Sequence, residues 1–426
     1  MKGKKSLESM KYHENRPRVG FLVLAVLALL SMLLQGCGDR RTSPPLPAAL
    51  ENEVRVPGFP EDIRAWANQP SKNFARSAVE SIQEERAALG DDSWKKPEAL
   101  LALSGGGDNG AFGAGVLCGW TQHGDRLRFK VVTGVSTGAL MAPFAFLGSK
   151  HDADLKIYTL VNQREIFHKK SVLTALWWDS LASTRPLADL IAKYMNEPLL
   201  KAIAAEHKKG RRLFIGTTQF DAQRLVIWNM GAIAASGNPQ ALQLFRKVLL
   251  ASASIPVFFP PQYFKVEAGG RPYEEMHVDG GTMALVMLYN EALKPFTEPE
   301  NPKEAKLAGR PKILYIIRNE RTNPGWEKVS PRLILITTRA LDTLFKAQGV
   351  YDVYRLFAFS QRDKIDFNLA AIPENYPPAP EDSFDQAYMN RLFDFGFEQA
   401  RKGYPWGKYP PSMEPESVLQ TQEQGG

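Results

Sequence analysis

The sequence predicts an α/β fold built on a mostly parallel sheet, and three features of its 426 residues carry that prediction. Short apolar runs recur along the chain, as strands buried in a parallel sheet require. Stretches with helical apolar spacing lie between several of them. Two of the runs end in glycine-rich turns that lead directly into helical stretches. A hydrophobic fraction of 44% and a charged fraction of 23% fit a globular protein, not a disordered or polytopic one. The length suits one large domain or two ordinary ones.

The elements follow in order. Residues 61–97 form an N-terminal segment in which Ala75, Ala78, Val79, Ile82 and Leu89 give a modest apolar stripe, so 61–89 reads as one or two polar helices. The main body spans 98–370. Its first strand is Leu100 to Leu103, its second Phe129 to Val132 and its third Leu213 to Gly216; Leu225 to Trp228, Glu275 to Val278 and Lys312 to Ile317 are further strands. Ala139 to Leu147 reads as a helix, and the charged, Pro-containing stretch from Phe296 to Pro311 as a surface loop. Residues 371–426 form a C-terminal extension that packs on the body, irregular apart from a helix near Asp385–Ala400.

The chain's start has its own logic. The first 36 residues carry six basic and two acidic side chains, which is most of the net charge of +7. No basic run with interleaved aromatics follows, so nucleic acid is not an expected partner. Gly20 to Leu34 is uncharged, with one hydroxyl. That length matches a secretory signal core better than the roughly 20 residues of a membrane-spanning helix. It runs into Leu34-Gln35-Gly36-Cys37, which resembles a lipobox, where bacterial lipoproteins are cut and acylated. The expectation is a signal peptide over 1–36 and a lipidated Cys37. The Pro-rich stretch within 37–60 would then be a semi-rigid tether. With Gly38 after the cysteine, the resemblance implies sorting to an outer membrane, facing the periplasm; the competing reading is an unprocessed membrane stub. Cys118 is the one other cysteine, so no intramolecular disulfide is available once Cys37 carries lipid. Cys118 lies in an apolar run and reads as a buried, inert thiol.

Three motifs carry chemistry. The first, Ser104-Gly105-Gly106-Gly107-Asp108-Asn109-Gly110, sits between a strand and an apolar helix, where backbone amides can meet an anion. Its Gly105-x-Gly107-x-x-Gly110 spacing alone would also suit a dinucleotide. The second motif argues against that. The next strand ends in Gly134-Val135-Ser136-Thr137-Gly138, the Gly-x-Ser-x-Gly form of a nucleophile elbow, where a dinucleotide fold would want an acidic residue for the ribose. A single crossover separates the motifs, so their strands should be parallel and adjacent or nearly so. That would set the Gly106 and Gly107 amides beside the Ser136 hydroxyl. The third motif, His277-Val278-Asp279-Gly280-Gly281, follows a strand and supplies a base for the serine, which is a poor nucleophile unaided. Strand alternation places His277 and Asp279 on the same face, so spacing leaves both open. No His/Cys/Asp cluster has metal-ligand spacing, and no cofactor is expected.

Glycine-rich loop, elbow and Asp-Gly-Gly, in that order, resemble the patatin-like phospholipase family over roughly 98–290. Ala251 to Pro256 and Phe259-Pro260-Pro261 are similar to a block that this family carries ahead of its aspartate. The resemblance implies a three-layer α/β/α fold and a Ser–Asp dyad without histidine. Ser136 would be the nucleophile, Asp279 the general base, and Gly106 and Gly107 the oxyanion hole. The expected activity is hydrolysis of (lyso)phospholipid or other fatty-acyl esters through a serine acyl-enzyme. Two positions depart from the family's pattern: Asn109 stands where a basic residue is usual, and Thr282-Met283-Ala284-Leu285 replaces a following Asn and Pro. Trp177, Trp178, Phe258, Phe259, Tyr263 and Phe264 are candidates for an acyl pocket or a membrane-facing lip. The alternatives are a carboxylesterase for small soluble esters, differing in pocket length, and a lipoprotein that binds lipids or partners with little catalysis. The motifs do not encode an oligomeric state.

Overall fold

A computed structural model of the chain describes residues 41–90, 96–169, 180–288, 290–297, 310–380 and 383–414. The expected signal peptide, Cys37, Trp177, Trp178 and most of the loop before Pro311 lie outside these residues. The described strands are β1 (Arg64–Trp66), β2 (Glu98–Leu103), β3 (Val131–Gly134), β4 (His168–Lys169), β5 (Ala182–Ser183), β6 (Arg212–Gln219), β7 (Arg224–Asn229), β8 (Gln262–Ala268), β9 (Arg271–Asp279), β10 (Lys312–Arg321) and β11 (Asp366–Ile372). The main helices are α1 (Lys72–Leu89), α2 (Gly110–His123), α3 (Thr137–Leu147), α4 (Arg185–Tyr194), α5 (Glu197–His207), α6 (Met230–Ala235), α7 (Ala241–Ser252), α8 (Leu333–Arg362) and α9 (Gln386–Arg401).

One sheet runs in the order β1-β7-β6-β3-β2-β10-β11, with β9 on β6 and β8 on β9; β4 and β5 form a separate small ribbon. The strands β6, β3, β2, β10 and β11 are parallel, and β1, β7, β8 and β9 join antiparallel. Adjacent residues of the parallel strands point into opposite cores, as the period of two demands. Leu101, Leu103, Val132, Leu213 and Ile215 pack with α2, α3, α5, α7 and α9. Leu100, Ala102, Val131, Phe214 and Ile316 pack with α1, α8 and the segment Ala284–Phe296. The result is the three-layer α/β/α arrangement.

The predicted strands are present, each displaced or lengthened by a few residues. Five strands were not foreseen: β4 and β5 of the small ribbon, and β1, β8 and β11 of the main sheet. β1 lies within the stretch read as helical, because Arg64–Trp66 pairs with Trp228–Val226 of β7 instead of continuing a helix. β8 lacks a long apolar run: its burial alternates, with Phe264, Val266 and Ala268 turned inward. β11 runs through the boundary expected at 370 and ends at Ile372, paired with β10.

The segment expected to be a tether is docked on the body over its described part. The Thr42 amide donates to Glu274 Oε2 at 2.6 Å, Arg41 pairs with Asp221 at 2.6 Å, and Arg55 and Glu267 exchange backbone hydrogen bonds at 2.9 Å. Extended, Pro-rich backbone is already in the conformation that a strand edge accepts, and β8–β9 provides that edge.

Helix α9 packs on α2 through glycines. A Cβ on Gly115 would lie 2.1 Å from Phe393 O, and one on Gly119 would lie 2.2 Å from Phe397 O. Such contacts bring two backbones together with no side chain between them. Cys118, on the same helix, is buried, and burial pushes its thiol up to about 12, so it stays protonated at neutral pH. Gly115→Ala should lower stability by about 1–3 kcal/mol through overpacking, read as a lower urea midpoint with unchanged slope.

Candidate active site

β3 stops at Gly134, opposite Ile215 of β6. Two residues further along the same edge of β6, Thr217 pairs with Asp279 of β9. The chain leaving β3 turns at Ser136 into α3, so Ser136 and Asp279 meet where one strand ends and the other docks. Ser136 has φ 54° and ψ −125°, a strained conformation for a residue with a side chain, and it caps the N-terminus of α3. Such a conformation belongs to a nucleophile elbow. A Cβ on Gly138 would lie 2.4 Å from Leu103 O, which is why only glycine lets α3 begin so close to β2. The turn is held from below: the Ser136 amide donates to Ser252 Oγ at 3.0 Å, and that hydroxyl donates to Gly216 O at 2.7 Å.

Asp279 is 2% exposed. Its Oδ1 accepts the Gly281 amide at 2.7 Å, and its own amide donates to Ser254 O at 2.8 Å. Oδ2 is buried with no hydrogen-bond partner among the described residues. The Ser136 hydroxyl adjoins the carboxyl, near enough to favour its charged form but outside full hydrogen-bond geometry. Burial dominates and pushes the carboxyl up to about 7, with Ser136 and the Gly281 amide opposing it.

The glycine-rich loop closes the third side. A Cβ on Gly105 would lie 3.2 Å from Ser136 Cβ. Gly106, at φ 151°, passes against Asn319, whose carbonyl oxygen would sit 2.0 Å from a Cβ there. The amides of Gly106 and Gly107 have no acceptor among the described residues, whereas that of Gly105 donates to Leu285 O at 3.1 Å. Gly110 abuts Thr137, and Gly280 abuts Gly216 O; both are close approaches that fix the loops. Gly134 packs under Gly138 O, and Gly281 beside Asp279 Oδ1.

His277 is turned to other work. Its Nδ1 meets Thr217 Oγ1 at 2.8 Å and its Nε2 meets Glu275 Oε2 at 3.1 Å. Glu275 also pairs with Arg64 of β1, and Trp228 Nε1 donates to Thr217 Oγ1 at 2.8 Å. Both ring nitrogens are thus engaged in a buried network that joins β1, β6, β7 and β9. Burial lowers the imidazole pKa.

Sequence reasoning missed Asn319. Its amide donates to Ser104 Oγ at 2.8 Å, its Nδ2 to Ser104 O at 2.9 Å, and its Oδ1 accepts the Gly113 amide at 3.1 Å. It therefore clamps the strand before the glycine loop to the helix after it. The available signal was a run of polar residues, Arg318-Asn319-Glu320, at the carboxyl end of a parallel strand, where α/β sheets place their ligands. Asn109 is also explained: its Oδ1 accepts the Tyr388 hydroxyl of α9 at 2.8 Å, while Asp108 Oδ2 accepts the Phe384 amide at 2.9 Å. The C-terminal segment thus ties down the outer side of the glycine loop.

From Ser136 an apolar cavity of about 90 Å³, partly open to solvent, leads between α3, α4 and the turns around Ile157–Ile166. Leu140, Phe144, Ile157, Leu187, Ile191 and Phe259 line it. Of the aromatics anticipated from sequence, Phe259 is there. Phe264 instead stacks on Trp228 in the core, and Tyr263 lies under Arg41. Among the described residues no cluster of His, Cys, Asp and Glu could hold a metal ion.

A mixed, mostly parallel sheet with a serine elbow, a buried carboxyl and a glycine loop at the carboxyl edge of its parallel strands defines a hydrolase-like α/β domain. Residues 101–289 match the family model described as patatin-like phospholipase, and this part of the chain belongs to that family. Among solved structures, VipD from Legionella pneumophila is 12% identical, covers 72% of this chain and 67% of its own, and has a TM-score of 0.32. The type III effector protein ExoU is 13% identical, with 77% and 59% covered and a TM-score of 0.28, so the chain spans about three fifths of that protein. No curated protein matches the chain.

The buried carboxyl has a measurable cost. Between about pH 4 and 7 Asp279 is protonated in the folded chain and ionised in the unfolded one, whose value is near 3.8. The folded state therefore binds the extra proton, and stability falls as pH rises through that window. Ionised and buried at neutral pH, the group costs on the order of 4 kcal/mol. Asp279→Asn should thus stabilise the protein above pH 7 and much less at pH 4, as read from denaturation midpoints at the two pH values.

Proposed function

We propose that the protein is a lipid acyl hydrolase that cleaves (lyso)phospholipid or other fatty-acyl esters through a Ser136–Asp279 dyad. The observation that carries the reading is the apolar cavity opening from Ser136, beside a buried carboxyl with one unpartnered oxygen. Asp279 accepts the Ser136 proton as Oγ attacks the ester carbonyl. The tetrahedral oxyanion forms next to the unpaired amides of Gly106 and Gly107, which stabilise charge that develops only in the transition state. Collapse expels the alcohol, which takes the proton back from Asp279, and the acyl chain remains on Ser136 in the cavity. Water, deprotonated by the same carboxylate, then releases the fatty acid. A carboxyl near pH 7 is well matched to this work, because it both takes and returns a proton at neutral pH.

The proposal extends to the chain's location. Signal peptide removal and acylation of Cys37 would hold the enzyme on an outer membrane, facing the periplasm and beside its substrate. Palmitate incorporation should be lost in Cys37→Ser; incorporation that persists would sink this part of the reading.

A fluorophosphonate probe should label Ser136 in the wild type and leave Ser136→Ala unlabelled. Asp279→Asn should lower turnover about 10²–10⁴-fold, the usual worth of a general base, whereas His277→Ala, if folded, should retain most activity. In the wild type, kcat/KM should fall roughly tenfold per pH unit below about 7 as the base becomes protonated. A flat profile from pH 5 to 8 would exclude Asp279 as the base.

A further inference from the structure

Helix α8 is 30 residues long, and only its second half is built into the body. Its buried residues begin at Gly349, which packs against Arg318 and Leu285; Leu285 in turn touches Gly105 of the glycine loop. β10 and β11 are parallel, so the helix between them runs back from the carboxyl edge of the sheet, the edge that bears Ser136. The part before Gly349 therefore projects past that edge, by roughly 24 Å at 1.5 Å per residue.

The projecting end is apolar and bare. Residues 324–336 are exposed without a break. Trp326 is 91% and Leu333 81% exposed, and Ile334, Leu335 and Ile336 follow on successive faces of the helix. Four consecutive large apolar residues cover every side of one turn, so no single neighbouring surface of this chain could bury them. The charges around them are sorted. Arg339 holds both acids of the region, Glu327 at 2.9 Å and Asp342 at 3.2 Å. Lys328 and Arg332, next to the apolar turn, have no acidic partner among the described residues. An apolar wedge with a Trp and free cations at its base is complementary to the acyl region of a bilayer beneath anionic headgroups. No described helix is long and apolar enough to cross a membrane, so the wedge would enter one leaflet only.

We propose that Trp326 and the Leu333–Ile336 turn form a membrane-docking wedge that seats the carboxyl edge of the sheet on a phospholipid surface containing anionic lipid. This rests on the lipid acyl hydrolase reading for its biological sense, but not for its test. Docking at this edge lets an acyl chain pass from the leaflet towards the cavity at Ser136 without crossing bulk water.

The full chain with Leu335→Cys, labelled with an environment-sensitive dye, tests the wedge; wild type taken through the same labelling serves as the blank for Cys37 and Cys118. Adding phosphatidylcholine vesicles containing phosphatidylglycerol should shift the emission to the blue, and brominated acyl chains should quench it. Phosphatidylcholine alone should act at several-fold higher lipid concentration. Leu333→Glu with Ile336→Glu should lower hydrolysis of vesicle phospholipid about tenfold or more while leaving fluorophosphonate labelling of Ser136 unchanged. Emission unmoved by either vesicle overturns the proposal. So does a shift that follows protein concentration without lipid, which would make a second copy of this chain the occupant. Vesicle-dependent insertion without phospholipid hydrolysis would support the wedge and count against the hydrolase reading.

Discussion

Two strands share one edge of β6, and the site depends on that division. β3 occupies the first half, pairing as far as Gly134 with Ile215; β9 takes over at Thr217 with Asp279. Because β3 is parallel to β6 and β9 antiparallel, both present their carboxyl ends at the junction. The turn out of β3 and the end of β9 are therefore forced into the same small volume, and each delivers one side chain of the candidate site there. Ser252 at the end of α7 and Ser254 just beyond it reinforce the junction by holding the Ser136 amide and the Asp279 amide. A shift of either strand by one residue would turn its side chain to the opposite face and separate the pair.

The cost of this arrangement is concentrated in a few atoms. Ser136 keeps a positive φ, and Asp279 keeps a carboxyl oxygen away from water without a hydrogen bond. Both features would be removed by selection for stability alone, and both are useful to a nucleophile and its base. The surrounding structure offsets them with dense packing and satisfied polar networks. His277, Glu275, Arg64, Thr217 and Trp228 bind four strands together a short way along the sheet. The histidine that spacing could not distinguish from a base thus has a structural task, joining the antiparallel strands to the parallel body.

Parts of the chain distant from the motifs complete the site. The segment leading into α9 reaches over the glycine loop, where Phe384 and Tyr388 hold Asp108 and Asn109, and Phe384 also lines the cavity. Asn109 accepts a hydroxyl hydrogen bond there, which a basic side chain could not do. The departure from the family pattern is thereby tied to the presence of α9. On the opposite layer, Asp352 of α8 accepts the amides of Leu285 and Val286 just after Asp-Gly-Gly, at 2.7 and 3.1 Å. That contact joins the long helix to the loop that follows Asp279.

By itself, the sequence determined the strongest local patterns. The apolar runs of β2, β3, β6, β7 and β10 declared themselves because a strand buried on both faces has little choice of residue. The elbow and the glycine loop were legible because close backbone approach leaves no alternative to glycine at Gly106 and Gly138. Tertiary structure decided what depends on partners distant in sequence. β1 is a strand only because β7 offers an edge, and the segment near Thr42 lies flat only because Glu274 awaits it. The choice between His277 and Asp279 could not be read from spacing, since both share a face of β9. Tertiary structure sets the two apart: Thr217 and Glu275 occupy both imidazole nitrogens, while the carboxyl keeps one oxygen unpartnered beside Ser136.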